Sequence, residues 1–162
     1  MSERPPILPP ALGLLMMLGV FAVHFLRPGA IVLHYPLNFI ALIPIIVGAA
    51  LNLMADKELR QKGVINDNGE YNLNAGILVT SGVYRFSRNP AYLGLVLIIA
   101  GLALWVGSIT PWVVVALFVL ILRASYIRVE ETQLTKAFGG RYEQYCKLVP
   151  RWFWFRSPII SR

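Results

Sequence analysis

The chain has 162 residues, of which 57% are hydrophobic, and its formal charge is +7. A mean hydropathy of +0.62 is high for a soluble domain of this size and leaves no room for a separate one. The basic residues flank apolar runs, which points to a membrane and away from nucleic acid. The single cysteine, Cys146, excludes an intrachain disulfide and a cysteine-rich metal site, and with only His24 and His34 as histidines no metal constellation is expected.

The first apolar run is Leu8 to Leu26. It is too long for a signal-peptide core and lacks a small-residue cleavage site before Arg27, so it reads as a retained span. The second run, Leu37 to Met54, is interrupted by Pro44. The third is Ala91 to Val106 and the fourth Ile109 to about Ile127. Crossing a 30 Å core takes about 20 residues, so the third run is short and is expected to borrow residues at its ends. Gly107 and Ser108 form a turn, and Pro111 starts the next helix. The expected fold is an all-α integral membrane protein of about four transmembrane helices. The last two form a helical hairpin, and a short C-terminal cytoplasmic helical segment follows. Residues 1–162 make one membrane domain, with two spans in 8–55 and a cytoplasmic loop at 56–90.

Lysine and arginine set the orientation. Lys57, Arg60, Lys62, Arg85 and Arg88 lie in the central loop, and Arg128, Lys136, Arg141, Lys147, Arg151, Arg156 and Arg162 lie beyond the fourth run. Between the first two spans there is only Arg27. The positive-inside rule puts both termini and the central loop in the cytoplasm. That loop contains Asn66-Asp67-Asn68-Gly69, a turn signal, and is either a functional lid or a solvated connector.

Three places look chemical. At Asn89-Pro90, Asn is the expected N-cap and Pro the first helical residue. The helix start, with Arg85 and Arg88 beside it, suits an anion; the alternative is a capped helix with snorkelling arginines. Gly94, one turn in, admits either a ligand or another helix. The second place is Arg123, Arg128, Glu130 and Glu131. Arg123 lies about 21 Å along the helix from Ile109, within the hydrocarbon, and α-helical spacing puts Arg123, Ile127, Glu130 and Leu134 on one face. Such groups point into a bundle, or else snorkel and pair locally. The third is the stripe Phe138, Tyr142, Tyr145, with Gly139-Gly140 as a possible helix break; an interfacial aromatic belt is the plainer explanation. Trp152-Phe153-Trp154-Phe155 reads as an interfacial anchor.

Together these places resemble the isoprenylcysteine carboxyl methyltransferase and phospholipid methyltransferase superfamily. The pattern is Gly82-x-Tyr84-Arg85-x-x-Arg88-Asn89-Pro90-x-Tyr92-x-Gly94, an apolar hairpin, then Glu130-Glu131-x-x-Leu134-x-x-x-Phe138-Gly139-x-x-Tyr142-x-x-Tyr145-x-x-x-Val149-Pro150-Arg151. It spans residues 78–152. Eukaryotic carboxyl methyltransferases commonly carry His at the position of Asn89, so the chain is closer to the bacterial branch, in a bacterial or archaeal inner membrane. The resemblance implies S-adenosylmethionine as cofactor and a methyl acceptor that is a lipid or lipid-like molecule entering from the bilayer. It implies a cofactor pocket using Asn89, Tyr92, Gly94, Glu130, Tyr142 and Tyr145, with Arg88 and Glu131 at the reaction; Arg128, at the same membrane level on the fourth helix, is expected to join them there in holding an anionic acceptor head. The acceptor's carboxylate, amine or thiol stays open, since only an amine needs a base. The alternatives are an NADPH-dependent sterol or lipid reductase and a non-enzymatic membrane scaffold.

Overall fold

The computed structural model describes residues 9–65 and 76–152. Helix α1 is Pro9–Leu26. A 3-10 turn, Leu37–Ala41, leads into α2, Leu42–Gln61. A second 3-10 turn, Gly82–Arg85, precedes α3, Pro90–Val106. Helix α4, Pro111–Ile121, runs on through a π-helical stretch, Leu122–Ile127, into α5, Arg128–Phe138. After a break at Gly139 comes α6, Gly140–Leu148. The turn expected at Asn66 to Gly69 and the aromatic run beyond Trp152 lie outside the described residues.

Three helical stretches are long and apolar enough to cross a membrane: Pro9–Leu26, Leu37–Gln61 and Pro111–Phe138. The fourth, α3, has 17 residues, about 25 Å at 1.5 Å per residue. It does not borrow the residues expected of it at its far end, because Gly107 adopts a left-handed conformation and ends it (φ 72°). Pro44 does not interrupt the second span either. It sits in the first turn of α2, where a missing N–H costs no helical hydrogen bond. At its other end α2 runs on past Met54 to Gln61, so residues 56–61, expected in the loop, are helical. Arg60 Nε donates to Asp56 Oδ2 at 2.7 Å along that extension.

Lipid tails are as apolar as leucine, so helix pairs in a bilayer gain from close backbone approach and interhelical hydrogen bonds more than from apolar bulk. The α2–α3 pair follows this rule. A Cβ on Gly48 would lie 2.5 Å from the Gly94 carbonyl oxygen, and one on Gly94 would lie 2.6 Å from that of Gly48. Gly101 meets Ile45 and Ala41 in the same way. Asn52 Nδ2 donates to the Ala91 carbonyl of α3 at 2.8 Å, a hydrogen bond between the two helices. Helix α1 packs on α3 and α4 around Leu12, Val20, Ile99, Ala103, Val114 and Phe118. Leu14, Leu18, Ile43, Ile46, Val113 and Leu120 are exposed around the outside, as a lipid-facing surface requires.

The two ends of the bundle differ in chemistry. At one end the 27–36 connection covers the α3–α4 turn. Val32 and Leu33 donate to the Gly107 carbonyl, and Ile109 donates to that of Ala30. His24 Nδ1 is 2.8 Å from Ser108 Oγ. The other end joins the α2 C-terminus, the α3 N-terminus, α5 and α6, and it carries most of the basic residues.

Candidate active site

At the basic end, the chain after α6 crosses the start of α3. Arg88 N donates to the Pro150 carbonyl at 3.0 Å, and the Arg151 carbonyl accepts from Asn89 Nδ2 at 3.0 Å and from Ser87 Oγ at 3.4 Å. Asn89 therefore occupies the N-cap position without capping through its side chain, contrary to expectation. Its amide tethers the C-terminal segment instead, and Ser87 Oγ accepts from Asn89 N at 3.1 Å. Pro90 does take the first helical position.

The segment so placed carries Arg151 to Glu131. Arg151 Nε and Nη2 both donate to the Glu131 carboxylate, at 2.9 and 2.5 Å. From the other side Arg88 Nη1 lies 3.0 Å from Glu131 Oε1. The Arg88 and Glu131 side chains are only 13% and 17% exposed, so their half of this Arg–Glu–Arg bridge is largely desolvated, whereas Arg151 is 38% exposed. Arg88 Nη1 also contacts Cys146 Sγ at 2.7 Å and the Tyr142 hydroxyl at 3.5 Å. Adjacent residues on a helix point about 100° apart, so Glu130 goes elsewhere. Its Oε1 accepts from the Tyr92 hydroxyl of α3 at 2.7 Å. The two glutamates thus tie α5 to α3 by different partners.

Tyr142 and Tyr145 are buried with Val149, against Leu78, Leu134, Phe138 and Cys146. This is a small core under the C-terminal segment, where an interfacial belt was the plainer expectation. The helix break lets it form: at Gly139 the backbone turns to φ 52°, ψ −127°, and α6 packs Tyr142 and Tyr145 against Leu134 and Phe138 of α5. Burial raises both phenol pKa values above the usual range, with Cys146 and Glu131 adding to the effect at Tyr142 and Tyr142 adding to it at Tyr145. Both stay neutral at physiological pH, and Tyr145 keeps its proton to donate to the Tyr84 carbonyl at 2.6 Å. The hydrogen bond to Glu131 raises the Arg151 pKa, so that guanidinium stays charged.

Arg88, Asn89, Tyr92, Glu130, Glu131, Tyr142 and Tyr145, all singled out from sequence, converge here. Two do not. Gly94 faces Gly48 and Asn52 of α2, so its missing side chain admits a helix, the second of the two options its position allowed. Arg128 is exposed and lines an open hollow with Leu120, Arg123, Ala124 and Arg151. Arg123 does not share a face with Ile127 as α-helical spacing predicted: Ile127 is fully buried and Arg123 is exposed. The π-helical stretch between them changes the register. Sequence reasoning missed Arg151, Cys146 and Ser87 as members of the site. Arg151 closed the recognised pattern, and Cys146 lies one helical turn from Tyr142; a lone serine or cysteine gives no signal of its own.

Residues 37–141 match the phospholipid methyltransferase family. The chain belongs to that family. The match contains Arg88, Tyr92, Glu130 and Glu131 and ends one residue before Tyr142. An uncharacterized protein of Haemophilus influenzae is 39% identical over 61 residues, 38% of this chain and 97% of that protein. Protein-S-isoprenylcysteine O-methyltransferase of Schizosaccharomyces pombe is 34% identical over 74 residues, 46% of this chain and 31% of the yeast protein, so the alignment spans under a third of the enzyme. No solved structure matches. Phospholipid methyltransferase membership and the apolar helices together make this chain an integral membrane methyltransferase.

The donor set at the basic end fits S-adenosylmethionine. Arg88 Nε is buried and has no hydrogen-bond partner among the described residues. An orphaned guanidinium N–H costs stability unless an acceptor meets it, and a carboxylate is a suitable one. Glu130 suits an ammonium or a ribose hydroxyl, and an aromatic face such as that of Tyr92 suits a sulfonium or an adenine.

Proposed function

We propose that the chain transfers a methyl group from S-adenosylmethionine to a lipophilic acceptor that enters from the bilayer. The observation that carries this reading is the polar centre at one end of an apolar bundle, where adjacent Glu130 and Glu131 meet Tyr92 and Arg88 and one buried arginine N–H is left for a ligand. When bound, the cofactor supplies a methyl group on a sulfonium, whose loss leaves a neutral thioether. The protein's part is alignment and charge matching. Arg88 would hold the cofactor carboxylate, its Nε having no partner among the described residues, and Glu131 fixes Arg88 by accepting from its other nitrogen. Glu130 takes the ammonium or a hydroxyl, with Tyr92 holding its second oxygen. Both Glu131 oxygens are engaged by arginines, so Glu131 serves as a brace. An amine acceptor must lose a proton, whereas a carboxylate or thiolate acceptor needs no base. Calorimetry of the purified protein tests the cofactor. S-adenosylhomocysteine is expected to release heat with a single-site isotherm, and NADPH to behave like buffer. The reverse result would replace methyl transfer by reduction.

The same reading places the polar end in the cytoplasm, where S-adenosylmethionine is available, with both termini on that side of an inner membrane. Lys57, Arg60, Lys62, Arg85 and Arg88 against Arg27 alone support it. Reporter fusions after Arg27, Gly63, Gly107 and Arg162 are expected to read outside, inside, outside and inside. A periplasmic signal at Gly63 would put the centre on the wrong side.

A further inference from the structure

The hollow lined by Leu120, Arg123, Ala124, Arg128 and Arg151 is not part of the polar centre described above, though Arg151 borders both. In an α-helix, residues five apart point about 140° away from each other. A π-helical turn bonds i to i+5 and sets residue i+5 nearly above residue i. Leu122–Ile127 is π-helical, and Arg123 and Arg128 are five apart across it. The irregular turn therefore brings to one side two arginines that a regular helix would splay, and the C-terminal segment adds a third. The Arg123 and Arg128 side chains make no ion pair or hydrogen bond with another described residue. Three arginines line the hollow, and the Glu131 carboxylate that pairs with Arg151 is already shared with Arg88.

Below the hollow, toward the opposite end of α4, Val113, Leu117, Leu120 and Ala124 follow one another at steps of four, three and four residues, and all are exposed. That spacing makes a continuous apolar stripe along one helix face. Leu120 and Ala124 belong to the stripe and to the hollow alike. The arginines thus sit at the polar head of a lipid-facing track. Guanidinium suits phosphate oxygens through paired N–H donors.

We propose that this hollow binds the phosphate of an anionic phospholipid, with an acyl chain lying along the Val113–Ala124 stripe. The shared chemistry is a phosphate anion; the stripe favours a lipid as its source over phosphate from solution. Binding needs no cofactor, so its failure leaves the methyl-transfer reading untouched.

The test uses full-length protein in neutral detergent without cofactor. Fluorescent phosphatidylglycerol and phosphatidylcholine of the same chains are titrated, with millimolar inorganic phosphate as competitor. Wild type is expected to prefer phosphatidylglycerol. Arg123→Gln with Arg128→Gln is expected to weaken that lipid about thirtyfold, to the level of phosphatidylcholine, with an unchanged thermal midpoint because both side chains are exposed. Arg123→Lys with Arg128→Lys, which keeps the charge but not the paired donors, is expected to fall between wild type and the glutamine variant, and inorganic phosphate to displace little lipid. Equal affinity of wild type and the glutamine variant for phosphatidylglycerol would overturn the site. Wild-type affinity in the lysine variant would overturn the paired guanidinium contact to phosphate. Complete displacement by inorganic phosphate would make it a site for a soluble anion and end the lipid assignment.

Discussion

Glu131→Gln is expected to lower the thermal midpoint by roughly 10 °C and methyl transfer about a hundredfold. Glu131 is the single carboxylate between Arg88 and Arg151, and both its oxygens are in use. Removing one partner of a buried ion pair costs about 3–5 kcal/mol, because the charge left behind stays desolvated. The Arg88 and Glu131 side chains keep some solvent contact, at 13% and 17% exposure, which puts the loss at the lower end, about 3 kcal/mol. The consequences spread through the bonds already described. Arg151 anchors the C-terminal segment, whose carbonyls hold Arg88 N and Asn89 Nδ2. Loosening it frees Arg88 from its set position, and misalignment alone can cost about a hundredfold in rate. A melting curve and a transfer assay on the same preparation check this. An unchanged midpoint with normal turnover would show that the bridge neither braces the fold nor positions Arg88.

Glu130→Gln is expected to leave the fold intact and to weaken S-adenosylhomocysteine about tenfold to a hundredfold. A hydrogen bond to a charged group contributes about 1.5–3 kcal/mol against about 1 for a neutral one, and glutamine keeps the shape while losing the charge. The fold survives because the Tyr92 hydroxyl can donate to the glutamine carbonyl as it does to Glu130 Oε1. The two neighbours should therefore part company: Glu131→Gln lowers stability and activity together, and Glu130→Gln lowers affinity at constant stability. Calorimetry on a variant with a wild-type melting curve reads the difference. Unchanged affinity would remove Glu130 from the cofactor site.

What was legible in the sequence follows from what periodicity and composition encode. The apolar runs gave the helices, since about 20 uncharged residues have few other uses. Gly107 and Pro111 marked the hairpin turn because each has a strong local backbone preference. Local rules failed where tertiary contacts decide. Pro44 reads as a breaker until the 3-10 turn before it makes it part of a helix start. Asn89 reads as a cap until the Arg151 carbonyl claims its amide. Gly94 allowed two uses, and only the position of Gly48 distinguishes them. The π-helical turn left no mark in composition, yet it decides that Arg123 and Ile127 face different ways. Glu130 and Glu131 were visible as a pair of carboxylates at a membrane border. Their separate partners, Tyr92 on one side and Arg88 with Arg151 on the other, depend on how α5 is rotated against α3. Arg151 stood at the end of the recognised pattern, but its role comes from a chain crossing that no local rule contains.

The most direct test of the central claim is methyl transfer itself. Purified protein is incubated with methyl-labelled S-adenosylmethionine and a membrane lipid extract, and the organic phase is separated and analysed by mass spectrometry. The account predicts a labelled, lipid-soluble product one methyl group heavier than its precursor, formed by wild type and strongly reduced in Glu131→Gln. No labelled product from folded protein that binds S-adenosylhomocysteine, across extracts rich in lipid carboxylates, amines and thiols, would contradict it.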